Sequence, residues 1–254
     1  MTLEAAVASK IWIVAVWFAF IFILERARPK AAPPTARKRL VSNGALWLVV
    51  LLISPTIVLP LTVFASGHAL WVRDGAFAAP VMILVDIVLL DCWTYWLHRA
   101  YHRIPLMWRF HAAHHLDEHL DSTSSLRFHA FEVALSALLR MLPIVLLAIP
   151  FAHVVVFETA LLACAVFHHS NVRLPASIER GLSFVIVTPS IHWVHHHAKW
   201  GDTNSNYSGV FSWWDRLFGT KSRTIRTPEM AIGVEGFSDR PFLALLATPF
   251  TGAG

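Results

Sequence analysis

Apolar residues run along this chain in long blocks rather than as the single stripe of a surface helix. Ile11–Leu24 is an uncharged block of 14 residues. Extended back to Ala5 it reaches spanning length, with Lys10 snorkelling to one surface. Ala45–Ala65 is an uncharged run of 21 residues carrying Pro55 and Pro60, which predicts a kinked spanning helix. Ala76–Leu97 is a third block, interrupted by Asp86 and Asp91. Carboxylates at such depth are costly and are expected to face the protein interior or one end of the span. Phe131–Phe167 is 37 residues long and contains Pro143 and Pro150. That is too long for one helix and sufficient for a hairpin of two short spans, with Arg140, His153 and Glu158 near an interface or inside the bundle. Pro241–Phe250 is apolar and too short to cross, so it is expected to lie at the interface.

The polar segments orient these blocks. Glu25–Leu40 carries Arg26, Arg28, Lys30, Arg37, Lys38, Arg39 and three prolines, which under the positive-inside rule predicts a cytoplasmic loop. No small-residue cleavage site follows the first block, so a signal peptide is not expected. Ser66–Gly75 reads as an outer turn. Counting crossings from the basic loop places residues 98–130 and 168–224 on the same cytoplasmic face. The predicted fold is all-α: an integral membrane bundle of four to five membrane helices under a cytoplasmic histidine-rich helical cap. The 254 residues read as a single membrane-embedded domain. Residues 1–97 form its N-terminal helices, 98–130 a first histidine-rich segment, 131–167 the hairpin, 168–228 a second such segment and 229–254 a tail.

Composition agrees. The chain is 56% hydrophobic and 15% charged, against about 45–50% and about 25% in soluble domains. Disorder is excluded and a soluble globular protein disfavoured. The net charge of +5 arises in loops between membrane-length blocks, so a membrane face rather than nucleic acid is its expected partner. Cys92 and Cys164 both lie in apolar stretches and offer no disulfide framework.

The unusual count is histidine: 15 in all, 14 of them between His98 and His197. His98 and His102 form HRAYH. His111, His114 and His115 form HAAHH, and His192, His195 and His196 form HWVHH. Steps of three and four bring side chains to one face of a helix, so each motif can converge on a point. Neutral imidazole is the commonest metal ligand near neutral pH. A zinc site uses three or four ligands, so eight or more histidines imply two ions. Imidazole suits iron, zinc and copper alike. A hydrolytic pair of metals would bring bridging carboxylates, and none lies within the three motifs.

These three motifs resemble the histidine boxes of the fatty acid hydroxylase / sterol desaturase superfamily of membrane di-iron oxygenases. Ser125–Glu132 (SLRFHAFE), Phe167–Asn171 (FHHSN) and Asn206–Thr220 (NYSGVFSWWDRLFGT) extend the likeness over His98 to Thr220, with the hairpin between the second and third boxes. Two positions depart from the pattern: Ala130 where proline often follows the histidine, and Asn204 where an aspartate is common, with Asp202 out of register. The resemblance implies metal ligation by His98, His102, His111, His114, His115, His192, His195 and His196, with His129 and His169 completing the set. It implies oxidation of an unactivated C–H bond of a lipid (sterol, fatty acyl, ether lipid or carotenoid) by O2 at two iron ions, giving hydroxylation or desaturation. Zinc could replace iron on isolation. Electrons would come from a separate protein, because no flavin, haem or iron–sulfur motif is present. Arg99, Arg103, Arg109, Arg127, Arg173 and Lys199 could dock an acidic carrier.

Metal-bound imidazoles are commonly oriented by carboxylates. Asp91, Asp117, Glu118, Asp121, Glu132, Asp202 and Asp215 are the candidates, Asp91 because it precedes His98 by two helical turns. Asp215 and Arg216 are read as structural. Trp93, Tyr95 and Trp96 could line a lipid path. His68 and His119 are expected at the surface and His153 at the interface. His168 and His197 adjoin expected ligands and are read as supporting or exposed. Two other readings use the same residues: a zinc-dependent membrane hydrolase and a metal transporter.

Overall fold

An apolar block offers its backbone no water, so each one satisfies its amides internally as a helix. The computed structural model describes residues 3–34, 37–73 and 80–251. Helix α1 covers Leu3–Ala27. Helix α2 (Lys38–Ile53) continues through a π turn at Ser54–Val58 into α3 (Leu59–Gly67). The π turn absorbs Pro55, which has no amide hydrogen to give to the ladder. Helix α4 (Val81–Arg103) carries both histidines of the first box without a break. Helix α5 is Pro105–His115, and α6 (Ala130–Leu147) and α7 (Phe151–His169) are the two limbs of the expected hairpin. The limbs turn at Ala148, which has φ 51°, and Pro150 caps α7. Short helices follow: α8 (Ala176–Leu182), α9 (Pro189–His195), α10 (Trp200–Thr203), α11 (Trp213–Leu217) and α12 (Phe242–Thr251).

Five helices are long and apolar enough to cross a membrane: α1, α2–α3 together, α4, α6 and α7. This is the upper end of the expected four to five. The third begins at Val81, and Asp74–Ala79 of the expected outer turn and third block lie outside the described residues. The helices alternate in direction. At one end Glu25 of α1 accepts from the backbone of Ser122 and Asn171, and Arg39 of α2 binds Asp117 and Asp121. At the opposite end Trp71 donates to Leu146 O, and Asp86 holds Arg73 and His153. Both histidine-rich segments lie at the first end.

Lys10 does not snorkel. Its ammonium pairs with Glu158 of α7, which also pairs with Arg140 of α6, so three helices share one ionic contact inside the bundle. In apolar surroundings a charge without a partner is far more costly than a matched pair. Glu158→Ala is therefore expected to destabilise the bundle by about 3–5 kcal/mol, read as a fall in the unfolding midpoint in detergent. Helix α12 does more than lie at an interface. Its Leu245 is buried among Leu46, Trp108, Ala112 and Leu116, while Leu243 and Phe250 face outward.

Candidate metal centre

Pro105 sets the geometry of the first two boxes. The residue before a proline is driven to extended backbone, and Ile104 has φ −99° and ψ 114°. This ends α4 and turns α5 back so that His98 and His102 face His111 and His115. His169 ends α7, His192 and His195 lie on α9, and His196 caps it.

Nine of the ten expected ligands come together in two groups. His98, His102, His111, His115 and His195 form one; His114, His169, His192 and His196 form the other. Within each group the facing ring nitrogens lie within 4.8 Å of one another. The groups share a wall, with the His115 and His196 rings stacked at a centroid distance of 4.2 Å. Each H-x-x-H-H box contributes to both. Positions i and i+4 differ by about 40° around a helix, whereas i+3 and i+4 differ by about 100°. His111 and His115 therefore serve the five-histidine group and His114 the other; His192 and His196 serve the four-histidine group and His195 the first.

The hydrogen bonds settle which nitrogens are bare. Nδ1 of His98, His114, His169 and His195 reaches the carbonyl oxygen of Tyr207, Arg127, Ala165 and Ser205, at 2.8, 3.0, 2.7 and 2.7 Å. A carbonyl only accepts, so each Nδ1 carries the proton and each neutral ring presents a lone pair at Nε2. Yet Nε2 of His98 is 3.2 Å from Nε2 of His111, and Nε2 of His114 is 3.1 Å from that of His169. Protons do not resolve this repulsion readily. Burial holds His114, His115, His192 and His196 well below the usual imidazole range and His195 at about 3. Nε2 of His195 and both ring nitrogens of His102 are buried without a hydrogen-bond partner. Convergent imidazole lone pairs of this kind could hold a metal cation.

His129 is not brought to either group. Its Nδ1 accepts from Phe131 N at the start of α6, and its Nε2 donates to Leu246 O of α12, so both ring nitrogens are engaged by backbone. Conversely, His168 is fully buried, its ring centroid 3.9 Å from that of His192. Its Nδ1 lacks a partner.

Among the described residues one carboxylate touches a grouped ring: Glu132 accepts from His111 Nδ1 at 2.7 Å. Asp91 does not reach His98. It is buried and accepts from Val210 N, Phe211 N and the Trp214 indole. Asp215 accepts from Tyr207 N and Ser208 N and so fixes the segment whose carbonyl orients His98. Gly209 lies between these anchors, where a Cβ would come within 3.0 Å of Leu161 Cδ1 and 3.4 Å of Asp91 Oδ1. Asp202 binds His197, Asp117 and Asp121 bind Arg39, and Glu118 accepts from Asp239 N. His119 is half-buried beside Trp193 rather than at the surface, and burial lowers it to about 4. Tyr95 is buried against Tyr207 and Trp214 and bonds Thr220, so it lines no lipid path.

Arg127 is also placed differently from expectation. It is fully buried and cannot meet a partner protein. Its guanidinium donates to Ala113 O, Asn43 and Asp239, while its carbonyl accepts from His114. Sequence reading missed this anchor; the signal present was an arginine in the SLRFHAFE stretch.

Because Glu132 fixes the tautomer and orientation of His111, Glu132→Ala is expected to weaken metal binding by about 10–100-fold. The five-histidine group should release its ion first in a chelator titration.

With this geometry in view, comparisons with known proteins add a lineage. Residues 83–220 match the family model described as fatty acid hydroxylase. The chain is 29% identical over 172 residues to an ornithine lipid hydroxylase of Rhizobium tropici, covering 68% of this chain and 51% of that protein. It is 30% identical over 126 residues to the alkylglycerol monooxygenase of Homo sapiens, covering 50% of this chain and 27% of that one. It is 30% identical over 223 residues to a methylsterol monooxygenase of Aspergillus fumigatus, covering 82% and 70%. The chain thus spans about half, or less, of the first two of these relatives. No solved structure matches. The extent of the family match and the long alignment to the Aspergillus protein lead to one conclusion: the chain belongs to the fatty acid hydroxylase family.

Proposed function

We propose that this chain is a membrane-bound lipid hydroxylase that uses O2 and two iron ions. The observation that carries this reading is the pair of adjoining all-histidine groups at one end of a five-helix apolar bundle. The names of the relatives, which act on an ornithine lipid, an alkylglycerol and a methylsterol, support a lipid substrate and insertion of one oxygen. The four- and five-histidine groups would each hold one ion. Bound iron would supply O2 reduction and hydrogen abstraction. The protein's part is to gather nine imidazoles, to keep His114, His115, His192, His195 and His196 neutral by burial, to lock the tautomers of His98, His111, His114, His169 and His195 through carbonyls and Glu132, and to set both groups beside the lipid-facing spans. The candidate metal groups comprise histidine alone among the described residues, which favours oxygen chemistry over a carboxylate-bridged hydrolase. Their place at the end of the bundle, not midway along it, disfavours transport.

Electrons would come from a separate acidic protein docking on the exposed Arg103, Arg109 and Lys199. The histidine end would face the cytoplasm, as the basic residues between Arg26 and Lys38 favour. A cysteine replacing Arg180 should then react with an impermeant maleimide only in inside-out vesicles, and one replacing His68 only from outside.

The function is tested by lipid mass spectrometry of cells with and without the intact chain. The expected result is a lipid heavier by one oxygen in its presence. Identical profiles under aerobic growth would overturn the reading.

A further inference from the structure

A cleft of about 510 Å³ opens where the chain leaves α1 and α7, lined by Ala27, Arg28, Pro29, Arg173, Leu174 and Pro175. Pro29 and Val172 form an antiparallel bridge, with Arg173 N donating to Arg28 O at 2.8 Å and Lys30 N to Asn171 O at 2.8 Å. Arg28 and Arg173 therefore stand directly opposite one another, and both line the cleft. Their backbone is rigidly held. Val172 is buried against Ile21 and Val166, and the Asn171 side chain bonds both the amide and the carbonyl of Ala31.

Two like charges directly opposite each other repel. At this end Arg26 is matched by Glu25 and Arg39 by Asp117. Arg28 and Arg173 are exposed, and neither is ion-paired to a carboxylate among the described residues. Two guanidiniums carried on opposed backbone positions, without a carboxylate partner, match the oxygens of a phosphate.

Depth selects the source of that phosphate. Phe20 and Ile23 of α1 are 53% and 67% exposed, the pattern of a lipid-facing helix. Arg28 follows Ile23 by five residues, or about 7.5 Å of helix rise, which is headgroup level. On the other side of the cleft α8 exposes Ile178 and Leu182, followed by exposed Phe184 and Val185, an apolar ledge suited to the bilayer surface.

We propose that Arg28 and Arg173 clamp the phosphate of an anionic membrane lipid at the histidine-bearing surface of the bundle. Arg173 lies four residues beyond His169, so this lipid would bind at the same end of the bundle as the four-histidine group. The site is independent of which lipid is oxidised.

The test is native mass spectrometry of the full chain released from detergent. It is titrated in parallel with dioleoyl phosphatidic acid, dioleoylglycerol and glycerol 3-phosphate. Phosphatidic acid should be retained and the other two should not. R28Q and R173Q should each weaken retention on the order of tenfold, and R28Q/R173Q should abolish it, while K199Q retains wild-type binding. The single variants each keep one guanidinium and decide the matter if the double variant misfolds. Equal retention of dioleoylglycerol, tight capture of glycerol 3-phosphate, or wild-type binding by both single variants would overturn the assignment. Metal content is measured alongside, so failure of the lipid clamp stays separate from failure of the metal centre.

Discussion

Replacing His195 with alanine is expected to empty the five-histidine group and spare the other, and His114→Ala to do the reverse. Each variant should fall from about two metal ions per chain to about one, with lipid oxidation abolished in both and membrane insertion unchanged. The reason is the division of each box. His114 is flanked by His111 and His115, yet its ring joins His169, His192 and His196. His195 lies between His192 and His196 in sequence and joins His98, His102, His111 and His115 instead. Site-resolved spectroscopy on the two singly depleted proteins should therefore show different residual ions. If both variants lost the same ion, the partition would be wrong; normal turnover by either would remove the ligand assignment altogether.

Acid should unfold the metal-free protein with unusual steepness, the second large effect expected. Burial holds His114, His115, His192 and His196 well below 6.5 in the folded chain, and His195 at about 3. In the unfolded chain the same rings titrate near 6.5. Above that pH neither state binds these protons and stability is fully present. As pH falls through 6.5 the unfolded chain takes up protons that the folded chain refuses, so stability is lost. Each ring contributes about 1.4 kcal/mol per pH unit, and the five together about 7 kcal/mol per unit. Native proteins have only about 5–15 kcal/mol in total, so about one to two pH units should suffice. Bound metal occupies the Nε2 lone pairs, competes with protons and moves the transition to lower pH. Unfolding midpoints at about pH 8 and about pH 5.5, with and without metal, check this. Equal pH dependence for the two forms would count against a metal at these rings.

Much of this was legible in the one-dimensional pattern because membrane helices are local objects. An apolar block long enough to cross must close its own hydrogen bonds, so the spans, the presence of a hairpin and the common end for both histidine segments follow from composition and counting; that the chain turns at Ala148 and Pro150 rather than at Pro143 does not. The repeated steps of three and four in HRAYH, HAAHH and HWVHH likewise report convergence on a face. Partnerships across the fold were not legible. Lys10 has no carboxylate at helical contact spacing, three or four residues away, and its partner Glu158 is 148 positions away. Asp91 shares a helical face with His98, yet three donors from residues 210–214 capture it first. His129 sits in a histidine-bearing stretch, and only the docking of α12 brings Leu246 O to its ring.

What sequence alone determined is the material: four to five apolar spans, a basic end, and enough imidazoles in helical spacing for two ions. Those properties depend on neighbours within a few residues, where helix geometry is the same in any fold. Tertiary packing decided the division of labour. Which imidazoles face each other, which arginine is buried beneath them and which pair is left open in a cleft all depend on how separate helices cross. No local spacing records that crossing.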